Sequence, residues 1–498
     1  MWILIVFILY LVGVAAIGLY CVRLNRTLAD FVLGGRRLGV WVAAISAQAS
    51  DMSGWLLVGL PATAFLTGLS AVWAVVGCTA GTVFNWLVIA PRLRRETEAA
   101  GALTIPDYLA GRYGEGPLRL VRVASVVVIL LAYATYIAAQ FMAAGKIFET
   151  TFGHVETPWG VVGLGYHSGM LVGVGIIVLY TAMGGFLAVA WTDLVQGLLM
   201  VLTVLVLPVV GLAGLGGLAV MADRVAEVDP ALLTVTAGKS GLAFVMGVAV
   251  SGLSWGLGYP GQPHILVRFM ALEDPKAMRR AAAIGITWVV LAMTGAVMVG
   301  LVGRAMLADV ADADHVMPTL AVRLMHPAVA GVMIAGAVAA IMSTVDSQLL
   351  VAASAVEEDI YIRLLGGRPR GRGAVWFGRL TVLALGAVAL PIAWPRESVF
   401  QTVFNAWGVL AAGLGPLVIL GLLTRRTNAW GALVGIVVGT VVAQGWTWVK
   451  PAFGGDVLFG NGLIPGFVLN LVLAYGVSRL TGRRGRGPAP RLEKEAGR

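Results

Sequence analysis

Charged residues are scarce in this sequence. Only 12% of its 498 residues are Asp, Glu, Lys or Arg, whereas a soluble domain carries about 25%. The few charges cluster between long stretches that have none, and those stretches match the roughly 20 apolar residues that a helix needs to cross a bilayer. This pattern excludes a soluble protein of several domains, because their polar surfaces would be missing.

Cysteine is almost absent as well. The two cysteines, Cys21 and Cys78, lie in apolar stretches, which excludes a disulfide framework or a cysteine-based metal site. The chain has no glycine loop with the lysine of an ATP-binding site. The N-terminal apolar run lacks a basic leader and a small-residue cleavage site, so we interpret it as a retained helix.

Glycine and arginine, by contrast, are plentiful. The 66 glycines suit membrane helices, in which small residues let backbones approach closely. A net charge of +10 could indicate nucleic-acid binding. The arginines, however, flank the apolar runs, where they act as orientation signals, and we expect no nucleic-acid partner.

The apolar runs predict an all-α polytopic membrane protein with about thirteen spans. Residues 1–482 are expected to form one membrane domain, and the basic tail 483–498 is expected to be disordered. The predicted spans are 2–22, 38–60, 67–90, 122–144, 160–181, 190–215, 241–262, 281–304, 329–356, 376–394, 401–424, 429–449 and 461–480.

Positive charge alternates between the loops. The loops after spans 1, 3, 7, 9 and 11 and the tail after span 13 are rich in arginine, as the loop with Arg268, Lys276, Arg279 and Arg280 illustrates. The intervening loops are poor in Lys and Arg, and one of them carries Asp309, Asp312 and Asp314. The positive-inside rule therefore predicts an external N-terminus and a cytoplasmic C-terminus.

Three carboxylates fall inside predicted spans: Asp51, Asp193 and Asp346. A charge within the bilayer is costly and is usually functional or paired. The alternative is that neighbouring hydroxyls and backbone groups satisfy these carboxylates, and this alternative has most weight for Asp193, which lies near a helix end.

Spans 2 and 7 do not look like regular helices. The middle of span 2 concentrates polar and small residues, SAQASDMSG, and span 7 contains SGLSWGLGYPGQP, whose prolines interrupt a helix. Broken helices are tolerated where they line a cavity. Because the two lie five spans apart, they indicate inverted five-helix repeats with a site at the bilayer midplane, unless the similarity is a coincidence of two glycine-rich helices.

Span 9 carries hydroxyls at Ser343 and Thr344. Hard cations prefer oxygen ligands, so these hydroxyls and the carbonyls of a broken helix could form an alkali-cation site. Such residues also hydrogen-bond simply across helix interfaces, and the pattern alone leaves both interpretations open.

From about Phe31 to the last span, the sequence resembles the sodium/solute symporter family, and within it the bacterial sodium/proline symporters. The segments that carry the resemblance are FVLGGRRLG, SAQASDMSGWLLVGLP, LTIPDYLAGRY, GGFLAVAWTDLVQ, SWGLGYPGQPHILVRFMA and IMSTVDSQLL. It implies a leucine-transporter-type fold with an extra N-terminal helix and repeats at spans 2–6 and 7–11.

The resemblance also implies an ion site. Sodium, the coupling ion, would be bound by three backbone carbonyls and two hydroxyls, those of Ala49, Met52, Ala340, Ser343 and Thr344. Asp51 would support this site electrostatically, and Asp193 would lie on the cytoplasmic route of the ion. Asp346 receives no role, because the proline carriers have a serine there.

For the substrate, the resemblance implies an aromatic and proline set formed by Tyr136, Trp255, Tyr259 and Pro263. Aromatic faces can pack against the ring of proline and attract its ammonium. The helix N-terminus at the break near Ser53 and Gly54 could receive the carboxylate. Gln140 departs from the small residue that the family has, and could narrow or redirect the pocket.

These expectations describe a carrier, not an enzyme: sodium-coupled uptake of L-proline by alternating access across a bacterial inner membrane. They include the lipid bilayer as the surroundings of the protein and no obligatory protein partner. The alternatives are a symporter of the same fold for another small amino or carboxylic acid, or a membrane sensor domain.

Overall fold

The structure is a computed structural model that describes residues 2–22, 32–116, 119–153, 155–157, 160–181, 185–307, 310–367, 372–449, 451 and 462–482. These ranges do not include the predicted disordered tail 483–498, the arginines Arg23 and Arg26 of the loop after predicted span 1, or Asp309 of the acidic loop.

The first half of the chain forms helices of very unequal length and one short hairpin. The helices are α1 Trp2–Val22, α2 Val40–Gly54, α3 Leu60–Thr67, α4 Val72–Phe84, α5 Ala90–Ala99, α6 Ile105–Tyr113, α7 Leu120–Phe152, α8 Tyr166–Thr181, α9 Phe186–Leu215 and α10 Leu218–Val228. The hairpin pairs β1 (Val155–Thr157) antiparallel with β2 (Gly160–Val162), Glu156 facing Val161. Single π-helical turns at Trp55–Gly59 and Asn85–Ile89 join α2 to α3 and α4 to α5.

In the second half, the regular elements of the described residues are helices. Its helices are α11 Gly241–Phe244, α12 Ser251–Leu253, α13 Pro263–Ala271, α14 Met278–Met306, α15 Val316–Leu324, α16 Pro327–Ala355, α17 Arg372–Ala393, α18 Val399–Leu423, α19 Ala429–Val449 and α20 Leu463–Leu480. A π-helical stretch, Val356–Leu364, extends α16. The prediction of an all-α polytopic fold is confirmed, apart from the small hairpin.

Ten helical stretches of the described chain are long and apolar enough to cross a membrane. One of them, Val40–Ala99, contains two predicted spans, and two shorter apolar helices, Tyr166–Ile177 and Phe377–Ala393, add to the ten. The number thirteen therefore stays a prediction.

Helix α16 lies at the centre of the bundle, and α1 lies at its edge. From Gly336 to Leu350 every residue of α16 is buried, while α1 exposes Leu9 and Val12 to 65% and 60%. Exposed apolar side chains of this kind suit contact with lipid.

Glycines set the close approach of α4 to the seventh predicted span. A Cβ at Gly81 would lie 2.5 Å from the carbonyl oxygen of Gly256, and one at Gly77 would lie 2.6 Å from that of Gly252. Side chains there would push the helices apart, so small residues on both partners are a condition of this packing.

Both predicted interruptions are confirmed. In α2, Ser53 has φ 40° and ψ −172°, a conformation that costs a non-glycine residue about 1–3 kcal/mol and persists only where its surroundings enforce it. The seventh span changes from a π-helical stretch at Val245–Val250 to a 3-10 helix at Ser254–Gly261 and then to an extended Gln262, after which Pro263 starts α13. The two broken spans thus place backbone groups that lie outside a regular α-helix in the middle of the bundle.

Candidate functional site

The break in α2 is capped by a side chain from α7. Gly54 N–H donates to Gln140 Oε1 at 2.8 Å, and Gln140 Nε2 donates to Ser53 Oγ at 3.3 Å. Gln140 is fully buried. The helix N-terminus that was expected to receive a carboxylate is therefore bonded to an amide oxygen of the protein.

Aromatic rings cover the next turn. Trp255 stacks on Trp55 with centroids 4.6 Å apart and on Phe404 at 4.5 Å. Tyr259 meets Trp407 edge-on at 5.1 Å, and the Trp407 indole donates to the carbonyl of Trp255 at 3.0 Å. Two of the four predicted substrate residues thus share one aromatic cluster, which α18 completes.

The other two lie apart from this cluster in different ways. Tyr136 reaches the break itself, since its hydroxyl donates to the backbone carbonyl of Asp51 at 3.3 Å. Pro263, at the start of α13, instead lines a cavity of about 20 Å³ with Thr104 and Val351. The substrate role of all four residues stays a prediction.

Buried oxygen atoms for which the described residues provide no hydrogen-bond partner gather beside the break. They include both carboxylate oxygens of Asp51, the Tyr259 hydroxyl and, from the third predicted span, Thr82 Oγ1 and the amide oxygen of Asn85. The Asn85 amide nitrogen donates to the carbonyl of Tyr259 at 3.2 Å. An unsatisfied buried polar atom is costly, so this region is suited to a polar or charged ligand.

Four of the five predicted sodium ligands, Ala49, Ala340, Ser343 and Thr344, lie at the contact between α2 and α16. Ser343 Oγ donates to the carbonyls of Ala49 at 2.8 Å and Ala340 at 3.1 Å, and Thr344 Oγ1 donates to the carbonyl of Ser50 at 3.0 Å. The carbonyl of Met52 accepts the N–H of Trp55 within its own turn.

This ligand set is chemically suitable for a hard monovalent cation. It consists of neutral oxygens, with the carboxylate of Asp51 on the same turn of α2. Ser343 and Thr344 are fully buried. The same hydrogen bonds equally hold two helices together, so the ion-binding role stays a prediction.

Asp193 lies in a buried ion pair that joins three helices. Its Oδ2 accepts from Ser46 Oγ at 2.7 Å and from an Arg268 guanidinium nitrogen at 3.1 Å. Arg268 also donates to Ser347 Oγ and to the carbonyl of His264.

The interpretation of Arg268 as a loop arginine that sets orientation is wrong. Arg268 lies in α13 and is fully buried. It can be buried because the carboxylate of Asp193, on α9, compensates its charge. Sequence spacing does not reveal this partner. Asp346, which received no role, is also fully buried, and no hydrogen bond to its carboxylate oxygens is found among the described residues.

Helix α7 carries a charged network near each of its ends. Arg122 pairs with Asp359 and Asp107, and Thr104 Oγ1 donates to Asp359 at 2.6 Å. Lys146 pairs with Asp314 at 2.6 Å and Asp312 at 3.0 Å. At 1.5 Å per residue, the 24 residues between Arg122 and Lys146 span about 36 Å, so Tyr136 and Gln140 lie between the two networks.

The network around Lys146 continues into the loop before α18. Arg396 pairs with Glu149 at 2.6 Å and contacts His315 at 3.2 Å. Burial opposes the charge of Asp312, yet the Lys146 ammonium holds the pKa of that carboxyl below its ordinary value. Burial, aided by the Arg396 guanidinium, holds the pKa of His315 below its ordinary value.

The centre of the bundle is closed to solvent in this structure. Trp55, Asp51, Gln140 and Ser343 are each no more than 1% exposed. A solute could reach them only if helices moved.

Several contributors could not be found by sequence reasoning. Phe404 and Trp407 are spaced as on one face of a helix, but this spacing did not distinguish α18 from other helices. Asn85 and Thr82 lie in an otherwise apolar span, so they did not stand out as site residues. Gln140 was noticed only as a departure from a family pattern; its bond to Gly54 depends on how α7 packs across α2.

Comparisons with known proteins agree with this architecture. The profile of the sodium:solute symporter family matches residues 31–439. A high-affinity proline transporter, PutP, of Bacillus subtilis (strain 168) is 40% identical over 93% of this chain and 95% of its own length. A sodium/proline symporter of Staphylococcus saprophyticus is 38% identical over 97% of this chain and 93% of its own length.

Solved structures confirm the fold. An outward-open, substrate-bound Na⁺-coupled sialic acid symporter has a TM-score of 0.80 at 18% identity and covers 98% of this chain and 99% of its own. The nucleobase-cation-symport-1 family transporter Mhp1, in a closed conformation, has a TM-score of 0.52 at 16% identity, covering 92% and 96%. The predicted leucine-transporter-type architecture is thereby confirmed.

The match over most of the chain and the two near-full-length relatives, together with a bundle broken at its centre, lead to one assignment. The chain belongs to the sodium:solute symporter family and is a membrane-spanning transporter, not an enzyme.

Proposed function

We propose that the protein is a symporter that uses the sodium gradient to take up L-proline. The observation that carries this proposal is the near-full-length similarity, at 40% and 38% identity, to two proteins named as proline carriers. The buried aromatic cluster beside a broken helix supports it, since proline offers an apolar ring, an ammonium and a carboxylate to such a surface.

Sodium would bind between α2 and α16. Ser343 Oγ lies within hydrogen-bond distance of the carbonyls of Ala49 and Ala340, so these three oxygens already share one locus. Thr344 and Met52 complete the proposed ligands, and Asp51 supports them with negative charge. An ion there would tie the first half of α2 to α16 and thereby stabilise the break at Ser53.

The substrate carboxylate would bind at the N–H of Gly54. In the closed form that N–H donates to Gln140, so the carboxylate must displace the amide oxygen. Gln140 thus acts as an internal competitor of the substrate. The substrate carboxylate displaces the amide oxygen because hydrogen bonds to charged groups contribute about 1.5–3 kcal/mol, whereas neutral ones contribute about 1 kcal/mol.

Transport would follow from alternate opening of the two networks on α7. Release of Lys146 from Asp312 and Asp314 would open one entrance, and release of Arg122 from Asp359 and Asp107 the other. With the N-terminus outside, as the arginine pattern predicts, the Lys146 network faces outward in a bacterial inner membrane. The membrane potential then adds about 2.3 kcal/mol per sodium ion for each 100 mV.

Uptake of labelled L-proline into proteoliposomes tests this function. An inward sodium gradient should drive accumulation, and an equal potassium gradient should not. Tyr259→Phe removes the hydroxyl beside Asp51 and should weaken proline uptake. A matched change outside the site, Tyr475→Phe, should leave it unaltered. Accumulation that ignores sodium would overturn the proposed coupling.

Another small amino or carboxylic acid is the second candidate, and the observation behind it is Gln140, whose side chain reaches the break at Gly54 and would narrow or redirect the pocket. A panel of unlabelled competitors in the same assay decides between the two. Displacement of labelled proline by one of them at a lower concentration than by proline itself would reassign the substrate and retain the sodium coupling.

A further inference from the structure

A basic cavity opens where α5 and α6 meet the end of α18, away from the central site. Its volume is about 360 Å³, and it is lined by Arg92, Arg95, Glu96, Ala99, Arg112 and Arg425. Four guanidinium groups and one carboxylate give this cavity a net charge of +3.

The charges of the cavity are poorly compensated by the protein. Within the part of the chain that the structure describes, Arg92, Arg95 and Arg425 form no ion pair with a carboxylate. Glu96 accepts from the Tyr108 hydroxyl at 3.0 Å and lies 4.0 Å from Arg112. Clustered arginines without counterions suit a multivalent oxyanion, because guanidinium groups bind phosphate oxygens in pairs.

The arginines are held in place by the backbone. Arg92 donates to the carbonyl of Val88 at 2.8 Å and Arg95 to that of Pro91 at 3.1 Å. Arg112 is 5% exposed and donates to the carbonyl of Gly421 at 2.7 Å. One wall of the cavity is therefore rigid before any ligand binds.

Exposed apolar side chains lie close to the cavity residues in the sequence. Leu87 precedes Arg92 by five residues and is 52% exposed, and Leu423 precedes Arg425 by two and is 47% exposed. Trp430, 44% exposed, has the amphipathic ring typical of the membrane–water interface. A ligand with a phosphate and acyl chains would match both surfaces.

We propose that this cavity binds the phosphate headgroup of an anionic phospholipid from the leaflet that the arginine-rich loops face. Basic pockets between membrane helices on the cytoplasmic side commonly bind such headgroups. The lipid would bridge the α5–α6 segment to the end of α18, which also meet through Arg112 and Tyr113, whose side chains donate to the carbonyls of Gly421 and Leu417. The proposal needs no assumption about the transported solute.

Native mass spectrometry of the purified full-length protein can test this site by titration with phosphatidylglycerol, with phosphatidylcholine and with inorganic phosphate. Phosphatidylglycerol should bind at least about tenfold more tightly than phosphatidylcholine. The variant R92Q/R95Q/R425Q should lose roughly 100-fold in affinity, at about fivefold per arginine near the headgroup. The control R279Q/R280Q removes two exposed arginines from the first turn of α14 and should bind as the parent does.

A conservative variant keeps the test decisive if the triple glutamine variant does not fold. R92K/R95K/R425K retains the charge and should bind phosphatidylglycerol, whereas R425Q alone should lose about fivefold. Equal affinity in R425Q and the parent would overturn the site. Binding of inorganic phosphate as tight as that of phosphatidylglycerol would overturn the lipid and indicate a soluble phosphate ligand.

Discussion

Replacement of Gln140 by alanine tests whether the substrate carboxylate binds the backbone N–H of Gly54. In the closed form the amide of Gln140 satisfies the N–H of Gly54 at 2.8 Å and contacts Ser53 Oγ at 3.3 Å. If the substrate carboxylate binds the same N–H, it must first break these bonds. Their loss in Q140A removes that cost, so the substrate should bind more tightly.

The magnitude follows from the two bonds. The short bond contributes about 1 kcal/mol and the long one about half of that, which corresponds to roughly a tenfold lower KM for proline. Q140E places a charged carboxylate on the same N–H and should raise KM by a similar factor, because charge-assisted bonds are the stronger ones.

The assay is sodium-driven uptake of labelled proline across a range of proline concentrations, at saturating sodium. Gln401→Ala makes the same chemical change on an exposed part of α18 and should leave KM unchanged. A higher KM in Q140A, with Q140E no worse than Q140A, would refute the reasoning. Gln140 would then be a ligand of the substrate and not its competitor.

Three further predictions concern the ion site and the ion pairs. Ser343→Ala should raise the sodium concentration for half-maximal uptake by about tenfold, because one bond between a ligand oxygen and a charged group is lost. An unchanged sodium concentration would remove Ser343 as a ligand. Asp193→Asn leaves the buried Arg268 unpaired and should lower the free energy of unfolding by about 3–5 kcal/mol; thermal unfolding in detergent should show D193N/R268M to be more stable than D193N, and equal midpoints would argue against the pair. Because the pKa of His315 is lowered in the folded state, the unfolded chain binds that proton more readily, so stability should fall as the pH falls through the ordinary histidine value of 6.5. Unfolding midpoints of H315Q should depend less on pH there, and identical slopes would exclude His315 as the cause.

The sequence was most informative where the membrane itself imposes the rule. Apolar runs must be helices because no water satisfies their backbone groups, and serine, proline and glycine in the wrong places signalled the breaks. Ser53 and the Ser254–Gly261 segment were located in this way, and the structure confirms both. Orientation, the ligand roles and the number of spans stay predictions.

Side-chain partners from different helices could not be predicted from the sequence. Arg268 reads as a loop charge from its neighbours along the chain, yet it pairs with Asp193, 75 residues away. Gln140 and Gly54 are 86 residues apart. Each network on α7 includes a carboxylate more than 160 positions distant, Asp359 for Arg122 and Asp314 for Lys146.

The sequence by itself thus determined that this protein is a helical membrane transporter with two interrupted spans, because hydrophobic length and helix-breaking residues act locally. Only the tertiary structure decided that Gln140 caps the break, that Arg268 is buried and that a basic cavity forms at the end of α18. Each of these depends on which helix faces which, and that is set by the packing of the whole bundle.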